Sequence, residues 1–130
     1  MVVAPGLVGH AATYGVDDGV AAGERLFALP PDRRPTAVFA ANDNLAVGVM
    51  SAAHRAGLVP GQDVAVVGYN DIPLARRMPV PLSSVLVPYD LIASTALDML
   101  VGGATPRIER TMPTLLPRAS SGGPVGAPGA

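Results

Sequence analysis

The stretch Pro35 to Asp71, PTAVFAANDNLAVGVMSAAHRAGLVPGQDVAVVGYND, constrains this chain more than any other. Thr36 to Ala40 and Val64 to Gly68 are short unbroken apolar runs, the pattern of strands covered on both faces. Between them, Asn42 or Asp43 offers a cap for a helix from Asn44 to about Ala56. Leu45, Val49, Ala52 and Ala53 share one face of that helix at three- and four-residue spacing. Gly57 suits a left-handed helix end, and Pro60-Gly61 a turn. Strand, helix and strand this close together make a βαβ unit with parallel strands. Parallel strands leave a sheet at the same edge, so Asn42-Asp43 and Asn70-Asp71 are expected to emerge together. That edge is where open α/β sheets bind ligands. Amide side chains donate and accept at once, which suits a neutral, hydroxyl-rich molecule.

Composition narrows the classes that remain. The chain has 130 residues, enough for one domain with a modest core. Its hydrophobic fraction of 49% excludes a disordered chain. Aromatics make up only 4%, so the core must be built from Ala, Val and Leu. All nine basic residues are Arg and they are scattered, against ten acidic residues. Nucleic-acid binding needs a concentrated cationic stripe to displace phosphate counterions, and no such stripe exists. Without cysteine there is no disulfide, thiolate zinc site or cysteine nucleophile. The opening MVVAPGLVGHAA lacks the positive region of a signal peptide, so export is not expected and a cytoplasmic location is. No run approaches the roughly 20 apolar residues of a membrane span.

The flanks supply the remaining elements. Val2-Val3-Ala4 could form a short strand. Asp17 or Asp18 can cap a helix running to about Leu29, stopped by Pro30-Pro31. Leu82 to Val87 reads as a further strand, Asp90 to Val101 as an amphipathic helix, and Ile108 to Leu116 as an edge strand that tolerates Pro113. Residues 119–130 are rich in Gly, Pro, Ser and Ala and read as a flexible tail. The expected fold is α/β, a parallel sheet in a three-layer, Rossmann-like lobe spanning residues 1–118.

PTAVFAANDNLAVG, VPGQDVAVVGYNDIPLA and VPLSSVLVPYD resemble the effector-binding domain of LacI/GalR-type transcription regulators. The likeness runs from about Tyr14 to about Ser121, and the closing LLPRASSGGP shares it. It implies the type I periplasmic-binding-protein-like fold. That family also carries a helix-turn-helix headpiece and an N-terminal lobe closing the other side of the cleft. Neither is present in this sequence, which reads as the truncated C-terminal lobe. The resemblance implies a small-molecule effector, most simply a sugar, a homodimer, DNA contact only through a headpiece absent from this chain, and no cofactor, metal or membrane.

Carried residue by residue, the resemblance places Asn42 against ligand hydroxyls, with Asp43 left to cap the helix. Helix capping is an equally ordinary role for Asn42 itself. Asn70 stands where many family members carry a sugar-binding aspartate, and the amide forgoes the charge-assisted bond. Asp71 beside it is a second ligand candidate, with an Asx-turn as the alternative for both. Tyr14 and Tyr89 fall where the family stacks rings on a sugar face, with ordinary core packing as the alternative for each. Leu45, Val47, Val49 and Met78 match its dimer surface, although intradomain packing explains the same periodicity. His10 and His54 have no partner at metal or catalytic spacing.

Three functions compete. The first is an effector sensor that couples ligand-driven lobe closure to DNA binding by a dimer. The second is a solute-binding component of a sugar transport system, which shares the fold but would require export. The third is an enzyme, but no Gly-rich phosphate loop, nucleophile elbow or His–carboxylate pair follows either strand. Catalysis is therefore not expected.

Overall fold

The computed structural model describes residues 5–102 and 107–123, so the proposed Val2-Val3-Ala4 strand lies outside the described residues. The first helix, α1, is Val16–Phe27. Its cap position is Gly15, not Asp17 or Asp18; both aspartates lie in the first turn, where they favour the positive end of the helix dipole. The helix stops at Phe27, two residues before the expected Leu29, and Pro30-Pro31 follow.

The Pro35–Asp71 stretch folds as expected. Strand β1 (Ala37–Phe39) and strand β2 (Ala65–Tyr69) are parallel neighbours, with Ala37 opposite Ala65 and Phe39 opposite Val67. Helix α2 (Asp43–Arg55) connects them and ends at Gly57, whose φ of 75° is the left-handed value that glycine adopts without steric cost. Strand β3 (Ser83–Leu86) pairs parallel to β2 on its other side. Helix α3 (Tyr89–Val101) follows, and strand β4 (Thr114–Leu116) pairs antiparallel to β3. The sheet order is β1-β2-β3-β4. The edge strand is much shorter than Ile108 to Leu116 and starts directly after Pro113, which has no amide of its own to pair.

The core lies between α1, α2 and one face of the sheet. Leu26, Phe27, Leu45, Val49, Val66 and Leu82 are all buried there. Fully burying a side chain the size of Val66 or Leu82 contributes roughly 1.5–3 kcal/mol. The two helices approach until their backbones touch. A Cβ built on Gly19 would lie 2.3 Å from the Leu45 carbonyl oxygen, and one on Gly48 would lie 2.1 Å from that of Val16. Only glycine permits this crossing.

The opposite face departs from the expectation of doubly covered strands. Ala37 and Phe39 on β1 are exposed, and no residue of α3 is buried. β1 is apolar on both sides, yet among the described residues a helical layer seats on one side only. The tail boundary also moves. Ala119–Ser121 forms a 3₁₀ turn, and Ser120 is completely buried, its hydroxyl accepting from the Ser83 amide and donating to the Val66 carbonyl. Residues 119–123 therefore belong to the fold.

Candidate functional site at the strand exits

The parallel pairing of β1 and β2 brings Asn42-Asp43 and Asn70-Asp71 to one edge. Their division of labour differs from the expected one. Asn42 caps α2, its Oδ1 accepting from the Leu45 amide at 2.8 Å. Its Nδ2 donates to the Tyr14 carbonyl at 3.1 Å, and these two bonds together fix which end of the amide is which. One amide thus ties the entry to α1, where Tyr14 lies, to the first turn of α2. The Tyr14 bond uses one of the two Nδ2 hydrogens, and the other has no partner among the described residues.

Asp43 does not cap. It is the first residue of α2 and is buried, with Oδ1 accepting from the Ser84 hydroxyl at 2.6 Å and Oδ2 from the Ile72 amide at 2.8 Å. Gly68 makes room for it, since a Cβ there would lie 2.2 Å from Asp43 Oδ1. A buried carboxylate is tolerated when it is fully hydrogen-bonded, and both oxygens here are. Its place at the helix N-terminus favours the negative charge as well.

Asn70 and Tyr89 meet. The Tyr89 hydroxyl donates to Asn70 Oδ1 at 2.6 Å, bridging the end of β2 and the start of α3. The Asn70 amide nitrogen has no partner among the described residues, so two donors point out of the bonded network. Tyr89 is 54% exposed and Tyr14 70%. Both are open aromatic surfaces at the ends of the site. Asp71 turns inward instead, its Oδ1 paired with Arg118 Nη1 at 2.6 Å, and its side chain is only 11% exposed.

The dimer candidates divide. Leu45 and Val49 are buried within the chain, because α1 crosses α2 on their face, so neither is available to a partner. Val47 and Met78 are half-buried and keep some surface. A separate groove of about 1010 Å³ lies along the edge strand β1, lined by residues 7–14 and 34–41 and reaching Leu26, Leu45 and Val49; of the ligand candidates it touches only Tyr14.

Arg118 and Ser84 are the residues that sequence reasoning missed. A single arginine in a Gly/Ser-rich segment reads as solvated surface, and a serine in a strand carries no signal of its own. The partners that give them meaning lie 47 and 41 residues away.

A family model described as a periplasmic binding protein-like domain matches residues 3–121. A lactose operon repressor of Rhizobium radiobacter is 51% identical over 69 residues, covering 52% of this chain and 60% of that protein. A LacI family transcriptional regulator from Lactobacillus casei, solved with bound sucrose, superposes with a TM-score of 0.71 at 33% identity over 82% of this chain and 40% of its own. A lac repressor dimer, solved on its operator with an anti-inducer, gives 0.73 at 26% identity over 82% of this chain and 33% of its own. The chain therefore spans between a third and three-fifths of the length of these three proteins. These relatives are regulators rather than enzymes or transport components. The chain belongs to the periplasmic-binding-protein-like domain family, in the form that family takes in LacI-type transcriptional regulators.

Proposed function

We propose that this chain forms one wall of an effector-binding cleft in a LacI-type regulator, taking a small hydroxyl-rich molecule such as a sugar at the strand exits. The observation that carries this reading is the unpartnered amide of Asn70. Asn70 is half-buried and bonded to the exposed Tyr89, on the edge shared with Asn42 and Tyr14. Donors between two aromatic rings suit a pyranose, whose hydroxyl rim bonds to amides while its C–H face stacks. Asp71 supports Asn70 from behind rather than reaching the ligand itself. Ligand-driven closure against a second lobe would then bias a dimer between two arrangements. The dimer surface would use Val47 and Met78, and DNA would be held by a segment outside this sequence.

The test is calorimetry with D-ribose, D-glucose and sucrose on the wild-type chain and on Asn70→Ala and Asn42→Asp. Asn42→Asp keeps the capping acceptor but removes the donor that also holds the Tyr14 carbonyl, so Asn70→Ala, whose amide nitrogen has no partner among the described residues, is the cleaner probe of ligand contact. At least one sugar is expected to bind, with affinity reduced about tenfold by either variant, a loss of about 1.4 kcal/mol. Unchanged affinity in both variants would remove the site from this edge.

A further inference from the structure

The turn that carries Asn70 is strained. Asn70 and Asp71 have φ values of 107° and 52°, and no other non-glycine residue among those described has a positive φ. Backbone of this kind persists only where its surroundings hold it in place. Three contacts do so. The Ser84 hydroxyl donates to Asp43 and accepts the Asp71 amide at 3.0 Å, and the Asp43 carboxylate accepts the Ile72 amide. The third is the Arg118–Asp71 ion pair, with side chains 18% and 11% exposed. Arg118 is fixed in turn. Its Nη1 also donates to the Leu82 carbonyl at 2.7 Å, and its backbone amide donates to the Ser83 hydroxyl at 2.7 Å.

We propose that Arg118 is a positioning residue of the effector-binding edge: its ion pair with Asp71 holds the turn left-handed, so that Asn70 keeps its oxygen on the Tyr89 hydroxyl and its amide hydrogens outward. This rests on the reading of that edge as the ligand wall. The pair is short, charge-assisted and largely shielded from solvent, which makes it stiffer than a surface pair. Asp71 is the residue next to Asn70, so any relaxation of its backbone rotates the amide beside it. The chain segment after β4 thereby sets the geometry of a site that it does not enter.

The test is nuclear magnetic resonance on the full chain. Asp71→Asn is the informative variant, because asparagine tolerates left-handed backbone as well as aspartate does and only the charge pairing is lost. Arg118→Met and Arg118→Lys accompany it, with Tyr89→Phe marking the Asn70 side-chain amide once its partner is gone. In Asp71→Asn and Arg118→Met that amide is expected to shift toward its Tyr89→Phe position, and the Ile72 backbone amide to exchange about tenfold faster while Val66 is unaffected. Arg118→Lys restores part of both. An Asn70 amide at its wild-type position in both variants overturns the proposal. So does an equal loss of protection at Val66, which would make Arg118 a general staple.

Titration with D-ribose, D-glucose and sucrose adds the ligand readout. The sugar that moves the Asn70 amide in the wild type should do so with a Kd about tenfold higher in Asp71→Asn. An unchanged Kd counts against positioning. A wild type indifferent to every sugar counts against the effector reading alone, and the amide shifts still decide the role of Arg118.

Discussion

At the scale of single residues, most side-chain hydrogen bonds among the described residues engage a backbone group. Thr13 and Asp18 are a case in point. The Thr13 hydroxyl and amide both donate to the Asp18 carboxylate, fixing the segment before α1 against its first turn. The Thr13 hydroxyl holds that carboxyl below its ordinary value of 3.8, with smaller help from backbone amides and Arg25. A depressed acid favours the folded form above its unfolded pKa, and that contribution is lost as pH falls through the folded value. The Thr13 amide resonance is therefore expected to hold steady above about pH 5 and to move below about pH 4, with Asp18→Asn abolishing the transition. A Thr13 amide that titrates identically in Asp18→Asn would disprove the tether. The Asn42 cap was one of two readings open in the sequence, since Asn and Asp cap about equally well. Choosing between them required Ser84 and Gly68, which give Asp43 a buried place of its own, and no local pattern announces residues so distant.

At the scale of elements, the α1–α2 crossing makes a prediction that runs against helix propensity. Replacing a helical glycine by alanine ordinarily stabilises by about 1 kcal/mol. At Gly48 the added methyl would meet the backbone carbonyl of Val16, which cannot rotate away as a side chain would. Gly48→Ala is therefore expected to destabilise by roughly 1–3 kcal/mol, read from the urea midpoint at unchanged slope. A rise in the midpoint would show that the helices can separate without cost. The βαβ unit itself was legible, because two apolar runs and a helical stripe between turn residues have few other solutions. What covers each sheet face was not. The composition of β1 is the same whether one side is packed or two, so TAVFA could not show that Phe39 lies open. Nor does an apolar helix show whether it is seated, and α3 is not.

At the scale of the whole molecule, two apolar surfaces compete to drive association. One is the proposed dimer face with Val47 and Met78. The other is the uncovered side of the sheet together with α3, where Phe39, Leu97, Leu100 and Leu115 are all more than half exposed. Light scattering on Val47→Glu and Leu97→Glu at matched concentrations separates them. Dimers that Val47→Glu weakens about tenfold and Leu97→Glu leaves intact are the expected result. The reverse pattern would place the interface on the uncovered face. The burial of Ser120 has a consequence of another kind, for synthesis on the ribosome. The Ser83 amide in β3 and the Val66 carbonyl in β2 both wait for a hydroxyl that is translated long after the strands themselves. A nascent chain halted before residue 118 would own both sheet edges and every candidate ligand contact, yet lack the serine that closes the sheet and the arginine that steadies its rim. The proposed ligand edge would then be completed only as residues 118–120 emerge, and a message cut short there would yield a protein with the edge's parts but not its shape.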